Sequence, residues 1–268
     1  MVALRDILDL AAKKRLITVN PAEDLKPIKR DAVAAGDKRK SFTLQQIAQF
    51  FKSGFYIECA KHAPPFAHAK PEWRFWLPPL ALFTGARPNE IAQMLLADLK
   101  RTQKGTWYLD IEATADDDEE TAGAAKTLKT TTSRRKIPLH PELIKIGFAQ
   151  FVEQRKNAKE GPRLFRDLKP DTYGNCATYA LKRFREVYLP EAIKLEARQT
   201  FYSFRHSWRD ALRRIDAPDS TLEAVGGWSQ GKTSDSYGDS NDPDLQFKII
   251  RKISFSGLDL SPLHLKSK

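Results

Sequence analysis

The stretch TFYSFRHSWRDALRR, Thr200 to Arg214, sets Tyr202, Arg205 and His206 at the start of a predicted helix. Tyr202 and Arg205 have the i, i+3 spacing that puts both on one helical face. Upstream, TGARPNEIAQ opens another helix with Arg87, and Glu90 follows one turn on, so their side chains can meet. Downstream, GGWSQGKTSDSYGDS carries Trp228 and, nine residues later, Tyr237 among Gly, Ser and Asp. Guanidinium forks suit the oxygens of a phosphate-like anion, and a phenol set among turn residues is available as a nucleophile. Each piece alone has an ordinary explanation: a surface Arg with a helix-start Glu, a helical pair, an exposed aromatic. The combination is what is specific.

These residues need a scaffold, and the pattern predicts a mostly helical one. Residues 3–17 carry Leu4, Ile7, Leu8, Ala11 and Ala12 as a helical stripe, stopped by Asn20–Pro21. The basic, Ala-rich stretch IKRDAVAAGDKRKS reads as a linker, and a helix restarts with Thr43 and Gln46 in capping-box positions. PEWRFWLPPLALFTGARPNEIAQMLLADL reads as two helices broken at Thr84–Gly85–Ala86, the second starting at Pro88 with Ile91, Met94 and Leu95 as its apolar face. GTWYLDIEA and RRKIPLH read as strands, joined by an acidic run and a Lys-bearing turn. Further helices are expected around 141–157, 175–188, 202–214, 219–226 and 243–253.

The 268 residues hold 45 Lys and Arg against 34 Asp and Glu, a net charge of +11. That excess favours a polyanionic partner. No apolar run approaches the roughly 20 residues of a membrane span, and the N-terminus lacks a signal-peptide layout, so the cytoplasm is expected. Cys59 and Cys176 form no CxxC and read as buried thiols, and the five histidines, His62 and His68 among them, show no zinc spacing.

Taken in order, TGARPNE, a turn Lys before SRRKIPL, YSFRHSW and GGWSQGKTSDSY make the chain resemble the catalytic domain of tyrosine recombinases, the phage-integrase family. The resemblance covers roughly residues 40–255. It implies an α+β, mainly α-helical, integrase-type domain with a small antiparallel sheet over 42–268, a linker over 26–41, and in 1–25 the last helix of a truncated, SAM-like core-binding domain. Matched position by position, Arg87 and Arg205 are the two catalytic arginines, Glu90 the acidic companion of the first, Lys129 (with Lys126 as the neighbouring alternative) the turn lysine, Trp228 the His-or-Trp position, Tyr237 the nucleophile and His206 a supporting residue. Tyr202 departs from the pattern, since the family usually has His there.

The chemistry implied is attack of a tyrosine oxygen on a DNA phosphodiester, giving a 3′-phosphotyrosyl ester and a 5′ hydroxyl without ATP. Two guanidiniums stabilise the charge of the transition state, each worth about 3 kcal/mol, so no metal or other cofactor is expected. Lys129 is the candidate acid for the leaving oxygen. A phenol with pKa about 10 is a poor base at neutral pH, so Tyr202 is expected to orient or donate. The expected partners are double-stranded DNA and further copies of the chain, as a tetramer on DNA, with no membrane. The tail DPDLQFKIIRKISFSGLDL docks either on a neighbouring protomer or on its own domain. Two rivals stand beside this reading. A type IB topoisomerase shares the fold and the chemistry, but GGWSQGKTSDSY leans against it. A DNA-binding relative that no longer cleaves is favoured by Tyr202.

Overall fold

The computed structural model describes residues 2–24, 40–61, 71–112, 134–227 and 241–265. The chain divides into two compact units, Met1–Lys38 and Arg39–Lys268. The first holds helix α1 (Val2–Lys13), four residues shorter at its C-terminal end than the stripe predicts. Arg15, in the left-handed region at φ 56°, turns the chain out of it. Asn20 then ties the turn back, donating to the Asp9 carboxylate at 2.6 Å and to the Arg5 carbonyl at 3.3 Å. Leu4 and Ile7 of the predicted apolar stripe are exposed. The expected linker over 26–41 falls mostly outside the described residues, as do His62 and His68.

The second unit is built from α2 (Leu44–Phe51), α3 (Gly54–Ala60), α4 (Trp73–Thr84) and α5 (Pro88–Ala92), then strands β1 (Leu99–Arg101), β2 (Trp107–Ile111) and β3 (Arg135–Pro138). Helices α6 (Pro141–Ile146), α7 (Phe148–Asn157), α8 (Thr178–Arg183), α9 (Leu189–Ala192), α10 (Tyr202–Arg214), α11 (Asp219–Gly226) and α12 (Pro243–Ile250) complete it. Helix α2 starts where the sequence predicts, with Thr43 and Gln46 capping each other's backbone N–H at 3.1 and 2.9 Å. The strands form an antiparallel sheet in the order β1-β2-β3. Leu99, Leu109 and Ile137 pair across it in one register and lie buried, so alternation seats this row in the core.

Helix α4 runs through that core, with Trp76 against Phe148 and Phe151 at ring-centroid distances of 5.1 and 5.2 Å. It carries Pro78 and Pro79 in its interior. Pro79 cannot supply the N–H that would serve the Phe75 carbonyl, and the fully buried Tyr56 hydroxyl of α3 donates to that oxygen at 3.2 Å. Cys59 and Cys176 are buried free thiols, as expected.

Several boundaries differ from the pattern reading. The helix expected over 141–157 is two, parted at Gly147 with φ 99°, where a β-carbon would meet the Leu265 side chain at 2.8 Å. The helix expected over 175–188 starts at Thr178, widens to a π turn over Phe184–Tyr188 and continues as α9. Helix α5 stops at Ala92, so Met94 and Leu95 are buried beyond it, where the Met94 carbonyl accepts from Leu164 N at 2.9 Å. Helix α12 ends at Ile250 rather than 253. Helix α3 and strand β1, too short to show a period, were not anticipated.

The C-terminal tail packs on its own domain. Ile250, Ile253, Phe255 and Leu260 are buried in the common core, while Leu245 is exposed. Beyond them Leu265 N donates to the Lys145 carbonyl at 2.8 Å, and His264 pairs with Glu142 at 2.7 Å.

Candidate active site

The break between α4 and α5 is the first wall of the site. Thr84 Oγ1 donates to the Leu80 carbonyl at 2.6 Å and accepts from Ala86 N at 3.1 Å, closing the helix end. Gly85 then turns left-handed at φ 62°, where a β-carbon would lie 2.2 Å from the Trp208 ring, so only glycine fits. Arg87 follows in extended conformation as the N-cap of α5, with Pro88 at the first helical position. Glu90 accepts from Arg87 N at 2.6 Å and from Arg87 Nη1 at 2.8 Å, as the i, i+3 spacing predicts.

Helix α10 supplies the second wall. Its residues start at Tyr202, half-buried, and Arg205 is buried one turn on. Arg205 Nη1 donates to the Gly85 carbonyl, and Nη2 to the Gly226 carbonyl at 2.6 Å. The third wall is the C-terminal end of α11, where three successive carbonyls each take a different arginine. Val225 O accepts from Arg135 Nε at 2.7 Å, Gly226 O from Arg205, and Gly227 O from Arg87 Nη2 at 3.3 Å. The negative end of the helix dipole favours this gathering of cations.

Arg135 is the residue that motif reasoning missed. It donates to Glu90 through Nη1 at 3.0 Å and Nη2 at 2.8 Å, and its side chain is almost wholly buried. A signal was present: Arg135 shares its strand face with Ile137, so alternation points a charge into the core, where it needs a carboxylate. Arg87 and Arg135 thus share the Glu90 carboxylate, and Arg205 is held beside them by the Gly85 and Gly226 carbonyls, so among the described residues three guanidiniums stand with one carboxylate, two positive charges in excess.

The titration behaviour follows from this crowding. Burial alone would raise the Glu90 carboxyl, but the Arg135 hydrogen bonds and charge, with Arg87 behind them, hold it down at about 2. Burial, then the charge of Arg135, push Arg205 down to about 9, which leaves it a cation at neutral pH. Tyr202 stands one turn before Arg205 on the same face of α10. His206 is half-buried at the next position of α10.

Arg87, Glu90, Arg205 and Tyr202 are therefore brought together. Lys129, its alternative Lys126, Trp228 and Tyr237 lie outside the described residues. The stretch with Lys129 rejoins the sheet at Arg135, and the stretch with Trp228 and Tyr237 leaves from Gly227.

A mainly helical body with a three-stranded antiparallel sheet, carrying this cluster between α5, α10 and α11, has the fold of the tyrosine-recombinase catalytic domain. Among solved structures it is similar to the Tn1549 transposon integrase in complex with circular intermediate DNA, at TM-score 0.50 and 16% identity over 84% of this chain and 69% of that one. Others are a lambda integrase dimer bound to a core site (TM-score 0.47, 16% identity, 88% and 71% covered) and the integrase of mycobacterium phage Brujita (0.46, 15%, 97% and 73%). The likeness is one of fold: no family profile matches the chain, and no curated protein matches it in sequence. Among the described residues no helix is long and apolar enough to cross a membrane.

Proposed function

We propose that the protein is a site-specific DNA recombinase of the tyrosine type, the integrase of a prophage or other mobile element. The observation that carries the reading is the arginine cluster: two excess positive charges fixed by Glu90 and by helix-end carbonyls, at the root of both segments that bear the remaining motif residues. A scissile DNA phosphate is the anion that such a cluster would hold.

In this reading Arg87 and Arg205 stabilise the non-bridging oxygens as the pentavalent transition state forms. Their forks are pre-oriented by bonds already made to protein carbonyls, so little reorganisation is needed when charge develops. The Tyr237 oxygen, its proton lost to solvent, attacks phosphorus and the bond to the 5′ oxygen breaks, with Lys129 giving that oxygen its proton. The 3′-phosphotyrosyl ester conserves the bond energy, and attack by a 5′ hydroxyl reverses the step. Trp228 donates its indole N–H to a phosphate oxygen or packs against the nucleophile's segment. Tyr202 donates a hydrogen bond where an imidazole would exchange protons, so the site works with altered proton handling. The partner is double-stranded DNA held largely through its phosphates, with four copies assembling on it in the cytoplasm.

The test is covalent trapping. Wild type and Tyr237→Phe are mixed in EDTA with nicked duplexes carrying the element's ends and quenched with SDS. An adduct that requires Tyr237 supports the mechanism, and none from a wild type that binds the DNA overturns it. The rival in which the chain binds without cutting rests on Tyr202. Tyr202→His decides it: a marked rise in adduct identifies a handicapped enzyme, and no adduct from either chain identifies a binding protein.

A further inference from the structure

Helix α10 is gripped on two opposite sides, and only one of them is the arginine cluster. Ser203, Ser207 and Asp210 form a stripe at i, i+4 and i+7, and Arg205 lies about half a turn round from it. Against that stripe lies the segment that enters α2. Ser41 Oγ donates to the Asp210 carboxylate. Phe42 N donates to Ser207 Oγ at 3.0 Å, and the Phe42 ring meets Phe204 edge-on at 4.9 Å. The amides of Gln46 and Gln199 pair reciprocally, each Nε2 to the other's Oε1 at 2.8 Å, and Gln199 Nε2 also reaches the Ser41 carbonyl at 2.8 Å. Gln199 stands three residues before Tyr202, so the segment leading into α10 is pinned together with the helix.

The bonds of Ser41 and Phe42 to α10 add nothing to the cap of α2, which Thr43 and Gln46 close between themselves. Their geometry serves α10. We propose that residues 41–46 are a clip that sets the height of α10, which makes Ser41, Ser207, Asp210 and Gln199 positioning residues for Arg205 and Tyr202. Displacement of Ser41 is passed across one helix diameter to the guanidinium, so the chain just before the clip has a mechanical path to the site. The proposal rests on the reading of Arg205 as a phosphate ligand.

The test uses the full chain and two independent readouts. The Arg205 Nε–H resonance, assigned by its loss in Arg205→Lys, is followed in wild type, Ser41→Ala and Asp210→Asn without DNA. Adduct formation and DNA affinity are then measured on nicked duplex. The clip requires the Arg205 resonance to move in both variants while that of Arg155, held elsewhere by Glu160, stays put. It also requires adduct formation to slow by about tenfold with Kd within twofold. An unmoved Arg205 resonance in folded variants overturns the clip, and so does a loss of rate that only tracks a fall in Tm. A wild type without adduct would overturn the recombinase reading alone, since the resonance still decides whether the clip positions Arg205.

Discussion

Glu90 and Arg135 stand 45 positions apart in the chain and meet through two parallel hydrogen bonds, with both side chains at most 5% exposed. Because Glu90 also holds Arg87, one carboxylate fixes two guanidiniums. Glu90→Gln leaves them facing a neutral amide with a single acceptor oxygen, and breaking a buried pair this way costs about 3–5 kcal/mol. Urea unfolding should show that loss, and the double variant Glu90→Gln/Arg135→Gln should lose less than the sum of the two single changes.

The same carboxylate makes a prediction about acid. Its folded pKa is depressed from the ordinary 4.5 to about 2. Its contribution is therefore complete above pH 4.5 and is lost as pH falls through that window, amounting to about 3 kcal/mol at 1.36 kcal/mol per unit. Unfolding curves for wild type and Glu90→Gln should converge progressively below pH 4.5, and parallel curves would contradict the ion pair.

His140 predicts a second, milder acid step. Its Nε2 meets the Ile253 carbonyl at 2.9 Å while Nδ1 accepts from Glu142 N at 3.2 Å, so the neutral ring is already fully used. Burial, against the smaller opposing effect of the Ile253 bond, pushes its pKa down from 6.5 to about 4. Between those values the unfolded chain takes up a proton that the folded one refuses, so stability falls as pH drops below 6.5. Replacing His140 with Gln should flatten that slope, and tail cleavage in limited proteolysis should rise between pH 6.5 and 4 in wild type only.

Gly85 and Gly161 offer a matched pair. Both have positive φ, but a β-carbon at Gly85 would sit 2.2 Å from Trp208 whereas one at Gly161 meets nothing within 4 Å. Gly161→Ala should cost only backbone strain, about 1 kcal/mol, and Gly85→Ala several kcal/mol, on the order of 3. Gly85→Ala also shifts the carbonyl that holds Arg205, so adduct formation should fall by more than the loss of Tm explains.

What was legible in the sequence was whatever repeats with a period or sits at a fixed offset. The Thr43–Gln46 box, the turn at Gly85, the Arg87–Glu90 contact and the full length of α10 all follow from local spacing. Arg135 escaped because its partner is remote in sequence, and strand alternation marks a buried charge without naming what neutralises it. The split at Gly147 escaped for a similar reason: the glycine is needed by Leu265, which arrives from the far end of the chain. The π turn at Phe184–Tyr188 answers to aromatic packing, with Phe184 at 4.6 Å from Phe201 and 5.3 Å from Tyr188, and no helical template encodes it.

Helix α4, which ends at the turn presenting Arg87, is unable to complete itself. Its two prolines delete amide protons that a helix needs in mid-course, and a phenol from α3 replaces the one missing at Phe75. Synthesis proceeds from the N-terminus, so the donor leaves the ribosome before the acceptor does. Helix α4 thus depends on α3 for a bond in its middle, and an excised peptide of its sequence should fray there. Tyr56→Phe should accordingly slow refolding more than it alters the finished site, since the vacancy it opens lies three turns of helix away from the arginines.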